Sequence, residues 1–137
     1  MKQLAISILE LAGVVFLRFR PVARIWCVWL VAANAACMFF ITHVEAQVVL
    51  AVTTAAVAAQ ALVYQRIGFT RILGTAHTLW VPMFAWMATR PDQIAAEPAM
   101  AAWLAVLFAT NGVSIIIDTL DAVRFLRGER APHYSWR

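Results

Sequence analysis

Four long apolar stretches, each closed by arginine, proline or a short polar group, dominate the chain and set its expected architecture. Spans are predicted at about residues 25–41, 46–64, 72–88 and 99–117. About 20 apolar residues in a helix cross a hydrocarbon core of about 30 Å, so each stretch reads as a membrane-crossing helix. The fourth meets no breaker before Gly128 and is expected to continue to about residue 126, roughly 42 Å of helix that projects beyond the membrane. The predicted fold is all-α: a single transmembrane domain over residues 1–137, built as a four-helix bundle with a tail over 127–137.

The N-terminal stretch follows a different pattern. Lys2 to Leu17 is too short to span comfortably, and Gln3, Ser7, Glu10 and Arg18 recur at helical spacing, which leaves Leu4, Ile6, Ile8, Leu9 and Leu11 for other faces. Glu10 interrupts the apolar run, no small-x-small cleavage pattern follows, and Arg18 and Arg20 close it, all against a signal peptide. Residues 1–19 therefore read as an amphipathic helix lying along the membrane interface. Pro21 then breaks the helix inside an arginine-rich hinge.

Charge orients the bundle. Arg18, Arg20, Arg24, Arg66, Arg71, Arg124, Arg127, Arg130 and Arg137 fall on one side and Arg90 alone on the other. By the positive-inside rule both termini are cytoplasmic, in an inner (plasma) membrane protein. Trp26 and Tyr64 near the inner interface, with Trp86 and Trp103 near the outer one, fit aromatic belts. Arg18, Arg20, Arg24, Arg66, Arg71, Arg124 and Arg127 are the expected contacts to anionic lipid headgroups. With 64% hydrophobic and only 13% charged residues, the basic excess does not read as a nucleic-acid footprint.

Candidate chemistry has to come from polar residues inside the spans, because the chain carries no GxGxxG, P-loop, HExxH, GxSxG or CxxC motif. Gln60 lies six residues from Arg66, His77 six from Arg71 and Asp118 six from Arg124. Counted in helical rise, all three sit about 9 Å below one interface. On the fourth helix Asn111, Ser114, Asp118 and Asp121 follow at spacings of three, four and three, which places them on one stripe. Thr53, Gln60 and Tyr64 form a similar stripe on the second. A polar layer of Gln60, His77 and Asp118, with Ser114 and Asp121 nearby, is the simplest packing that satisfies them. Asp118 lies near the negative end of its helix dipole and needs a partner; His77 is the candidate, and such a pair can accept or pass a proton. The structural alternative pairs Asp118 and Asp121 with Arg124 or with the arginines of the second connection.

His43 and His77 are placed at opposite ends of their spans, which disfavours a shared haem, and no residue cluster suggests a metal. No cofactor or catalytic residue is assigned. Cys27 and Cys37 lie about 15 Å apart along one helix and read as small buried side chains. Ala32 with Ala36, and Ala51 with Ala55 and Ala59, have the spacing that lets helices approach closely. Pro82 should kink the third span.

Three functional classes follow. The leading expectation is a non-catalytic accessory, assembly or scaffold subunit docking to partner membrane proteins and anionic lipid. The alternative is a small oligomeric transporter or proton-coupled permease using the His77 and Asp118 pair, and behind it a lipid-active membrane enzyme without an evident nucleophile.

Overall fold

The computed structural model describes residues 2–131, which form helices and connections without a strand. Helix α1 covers Lys2–Gly13 and passes into a π-helical turn, Val14–Arg18. Helix α2, Pro21–Ala35, tightens into a 3-10 segment, Ala36–Phe40. Helix α3 covers Val44–Ile67. A 3-10 segment, Arg71–Leu79, leads into α4, Trp80–Met87. The short α5, Pro91–Ala95, precedes α6, Pro98–Leu126. The predicted tail is described only as far as residue 131, so Arg137 and His133 lie outside the described residues.

Prolines start three of these helices. Pro21, Pro91 and Pro98 each occupy the first helical position, where a missing N–H leaves no bond unmade. Gly68 ends α3 with a positive φ of 72° and donates its N–H to the Tyr64 carbonyl.

Three helices are long and apolar enough to cross a membrane: Pro21–Phe40, Val44–Ile67 and Pro98–Leu126. Only 17%, 22% and 33% of their most apolar windows are buried, so most of that apolar surface faces outward, as in a chain surrounded by hydrocarbon. The third predicted span, 72–88, is not one α-helix. The nine residues Arg71–Leu79, which include its first eight, are 3-10 helix. Thr75 and Thr78 donate their hydroxyls to the carbonyls of Ile72 and Thr75, three residues back, at 2.7 and 2.8 Å, which suits the tighter turn. The predicted disruption at Pro82 takes the form of this change of helix type. The Thr78 carbonyl, deprived of its α-helical donor by Pro82, lies in reach of the Trp80 N–H instead. At about 2.0 Å per 3-10 residue and 1.5 Å per α residue, Arg71–Met87 still extends roughly 30 Å.

Two clusters form the interior. The larger joins Ala33, Cys37, Ala46, Val49, Trp80, Met83, Met87, Met100, Leu104 and Leu107. The smaller holds α1 in place, with Leu11 packed on Ala61 and Leu73 and with Leu4, Ile8 and Tyr64 around them. This revises the expected polar stripe of α1. Ser7 turns inward with Leu4, Ile8 and Leu11 and bonds the Gln3 carbonyl at 3.0 Å, whereas Ile6 and Leu9 are exposed. A buried hydroxyl satisfied by its own helix backbone is compatible with an apolar face.

The small residues divide unevenly. Ala33, Ala46, Ala56 and Ala61 are buried, while Ala32, Ala51 and Ala55 face outward.

Candidate functional site

The 3-10 segment carries the residues on which the sequence reasoning centred. His77 Nδ1 lies 2.7 Å from Asp118 Oδ2 on α6, and its Nε2 lies 2.9 Å from Gln60 Nε2 on α3. Ser114, one turn along α6, donates its hydroxyl to the same Asp118 oxygen at 3.4 Å. The Trp80 ring, 2% exposed, stacks on the imidazole with centroids 4.1 Å apart and planes 7° from parallel. The ring of His77 is thus fixed on two edges and one face.

The partners define the proton positions. An amide nitrogen only donates, so the Gln60 amide facing Nε2 requires that nitrogen to accept, and the imidazole proton then sits on Nδ1, donating to the Asp118 carboxylate.

Gly74 makes the approach of Asp118 possible. A Cβ built there would lie 2.9 Å from Asp118 Cβ and nearer still to the carboxylate, closer than side-chain contacts allow. The glycine is therefore needed for close approach of the two elements, independently of any turn. Its significance was not visible in the sequence, because Gly74 falls inside the apolar run of the third predicted span with no turn signal around it.

The remaining candidates occupy other levels. Asp121 pairs with Arg71 at 2.5 Å, and Arg71 also reaches Glu129 at 3.0 Å. Glu129 bonds Arg124 at 3.2 Å as well. Desolvation alone would raise the Glu129 carboxyl, but Arg124 and Arg71 hold it below the usual carboxylate range. Asn111 leaves the predicted stripe for a separate amide layer. It accepts from Asn34 at 2.9 Å and donates back at 3.1 Å, and Thr53 donates to the same Asn34 oxygen at 3.1 Å. Asn111 is fully buried and Asn34 is 3% exposed.

Asn34 and Glu45 are the polar residues that sequence reasoning passed over. Asn34 is the sole amide in the first apolar run, which was the available signal. Glu45, 3% exposed, accepts from Arg90 Nε at 2.8 Å, and the Arg90 guanidinium lies 5.0 Å from the Trp86 ring centroid. Two indoles add cross-helix bonds: Trp29 donates to Thr110 at 3.1 Å and Trp103 to the Ala33 carbonyl at 2.9 Å.

Of the arginines expected at lipid headgroups, Arg18, Arg20, Arg66, Arg124 and Arg127 are exposed. Arg24 instead donates to the carbonyls of Leu17 and Phe19, at 3.3 and 3.0 Å, holding the N-terminal hinge. Arg71 and Arg124 are engaged by the carboxylates already named. Among the described residues no group of His, Cys, Asp and Glu has the arrangement of a metal site.

The amide pair can be measured directly. A double-mutant cycle on Asn34→Ala and Asn111→Ala, read by unfolding in detergent, is expected to give a coupling of about 1 kcal/mol, within the range for hydrogen bonds between membrane helices. Strictly additive losses would mean that the amides do not depend on each other.

Comparison of the chain with protein-family models, with curated proteins and with solved structures finds no match, so its chemistry rests on the geometry above.

Proposed function

We propose that the chain is a small inner-membrane protein, crossing the membrane four times with both termini cytoplasmic, that serves as a non-catalytic accessory, assembly or scaffold subunit docking to partner membrane proteins and anionic lipid. One observation carries this reading. The polar residues that link the helices are partnered within the chain at several levels, from Glu45 with Arg90 through Asn34 with Asn111 to Asp118 with His77, while the outward surface is apolar and includes the small residues Ala51 and Ala55. Such a chain is internally locked and externally ready for lipid or neighbouring helices.

The finer topology has its own support. The roughly 30 Å of Arg71–Met87 matches a hydrocarbon core, which favours a fourth crossing. Exposed Arg18, Arg20, Arg66 and Arg127 suit the anionic inner leaflet. Helix α1 packs one side on Ala61 and Leu73 and exposes Ile6 and Leu9, which suits an interfacial position. Purification in mild detergent should bring the chain out in a stoichiometric larger complex, and reporter fusions should place Arg137 inside and residues 92–97 outside. Recovery as an isolated monomer from its native membrane, or a cytoplasmic reporter at Asp92, counts against the proposal.

The placement of His77 between a carboxylate and an amide favours a second reading, a proton-coupled transporter working as a homo-oligomer. Asp118 separates the two. Asp118→Leu is expected to destabilise the fold by about 1 to 3 kcal/mol in either case, since His77 loses its acceptor. Asp118→Asn keeps a hydrogen-bonding group, so a docking subunit retains its complex. In a transporter the same substitution abolishes transport with the fold intact.

A further inference from the structure

Where α2 starts and α3 ends, the fold gathers exposed arginines from two connections. Arg18 and Arg20 flank Phe19 between α1 and α2, and Arg66 lies in the last turn of α3. The Phe19 ring meets Phe69, three residues after Arg66, edge-on with centroids 5.4 Å apart. That contact joins the two connections, with Arg18 and Arg20 on one side of it and Arg66 on the other.

The first connection is held by bonds of its own. Val14–Arg18 is a π-helical turn, closed by the Phe19 N–H on the Val14 carbonyl at 3.2 Å. Arg24 reaches back to the carbonyls of Leu17 and Phe19. These acceptors are neutral, so the bonds fix the turn and leave the Arg24 charge uncancelled. Phe19 is half-buried, while Arg18 and Arg20 are exposed.

Other arginines of the fold are neutralised: Arg71 by Asp121 and Glu129, Arg124 by Glu129, and Arg90 by Glu45. Among the described residues Arg18, Arg20, Arg24 and Arg66 form no ion pair, and neither does Glu10, the acidic residue nearest to Arg18 along the chain. Like charges held beside one another repel, so an anion from outside the chain stabilises the arrangement. Apolar side chains adjoin the cations: Leu17, Val22 and Ile25 near the first connection and Leu62 one turn before Arg66, all exposed. Cations beside open apolar surface fit a phospholipid, whose phosphate and acyl chains engage both.

We propose that Arg18, Arg20 and Arg66 form one seat for a phospholipid with two phosphates, cardiolipin. Charges carried on two connections match two phosphates joined through glycerol, whereas a lipid with a single phosphate meets one side of the Phe19–Phe69 contact at a time. The seat rests on the anionic-lipid part of the docking proposal and names the lipid.

Native mass spectrometry of the full chain tests it, with the chain released from phosphatidylcholine nanodiscs that hold cardiolipin or phosphatidylglycerol at equal phosphate. One cardiolipin per chain is expected to be retained, about fivefold or more in preference to phosphatidylglycerol. Arg18→Gln, Arg20→Gln and Arg66→Gln should each weaken that retention about fivefold, the equivalent of about 1 kcal/mol per arginine near an anionic surface. Lys2→Gln removes the same charge roughly 20 Å away along α1 and should change nothing. Phe19→Ala keeps every charge but removes the ring, and should reduce the preference for cardiolipin while anionic lipid is still retained over phosphatidylcholine. Equal retention of cardiolipin and phosphatidylglycerol, both above phosphatidylcholine, overturns the seat and leaves the anionic-lipid reading standing. Retention of neither above phosphatidylcholine overturns both. A loss in Lys2→Gln equal to that of the arginine variants, or an undiminished preference in Phe19→Ala, overturns the seat alone.

Discussion

Replacing Arg90 by alanine is expected to lower the stability of the folded chain by about 3 kcal/mol, the scale for breaking a buried ion pair from one side. Glu45 is 3% exposed, and Arg90 Nε bonds its carboxylate at 2.8 Å while the guanidinium packs on Trp86. Without the arginine a buried carboxylate is left with its desolvation uncompensated. Adding Glu45→Gln to Arg90→Ala should recover most of the loss, because an amide in the same place carries no charge. The measurement is the unfolding midpoint in detergent for the three variants. A loss below about 0.5 kcal/mol in the single variant, the range of ordinary surface changes, would mean that water already solvates Glu45.

The second large effect is expected at Gly74. Alanine there places a methyl group 2.9 Å from Asp118 Cβ, so the 3-10 segment and α6 must separate, and the His77 contact separates with them. Overpacking by one methyl typically costs 1 to 3 kcal/mol, and the weakened carboxylate contact puts Gly74→Ala near the upper end, about 3 kcal/mol. Gly112→Ala is the matched control. Nothing lies within 4 Å of the corresponding position on α6, so alanine there should be neutral or stabilise by up to about 1 kcal/mol through helix propensity. Equal unfolding midpoints for the two variants would show that close approach at Gly74 is unimportant.

How much of this could be read from the chain alone differs by element. Helix α6 was legible from end to end, since Pro98 starts it, an uninterrupted apolar stretch continues it and Gly128 follows its last turn. The Arg71–Leu79 segment was not, because over nine residues the apolar positions of a 3-10 helix resemble those of an α-helix. The distinguishing features were local: Gly74, together with threonine hydroxyls able to bond carbonyls three residues back.

Counting six residues from each arginine placed Gln60, His77 and Asp118 at one level, and the structure brings these three side chains together. Asp121, three residues from Arg124, pairs instead with Arg71, one of the second-connection arginines that the structural alternative named for it. The counting could not reveal that Asn111 would turn to Asn34, because a stripe on one helix does not name the helix opposite each residue. Glu45 and Arg90 were both visible near one end, but a partnership across 45 residues of chain depends on how α3 and the α4–α5 connection pack.

The reciprocal bonds from α6 also bear on the order in which the chain can be completed during synthesis. Asn34 waits for Asn111, Trp29 for Thr110, Arg71 for Asp121 and His77 for Asp118, and all four of those later residues belong to one helix. In a nascent chain ending before Pro98, Asn34 keeps Thr53 and His77 keeps Gln60, but Trp29 lacks Thr110, Arg71 lacks Asp121 and His77 lacks Asp118. Insertion of α6 answers them together. A product stalled in the α4–α5 region is therefore expected to lack the partners of the Trp29 indole, the Arg71 guanidinium and the His77 imidazole on α6, and completion of that single helix supplies them together.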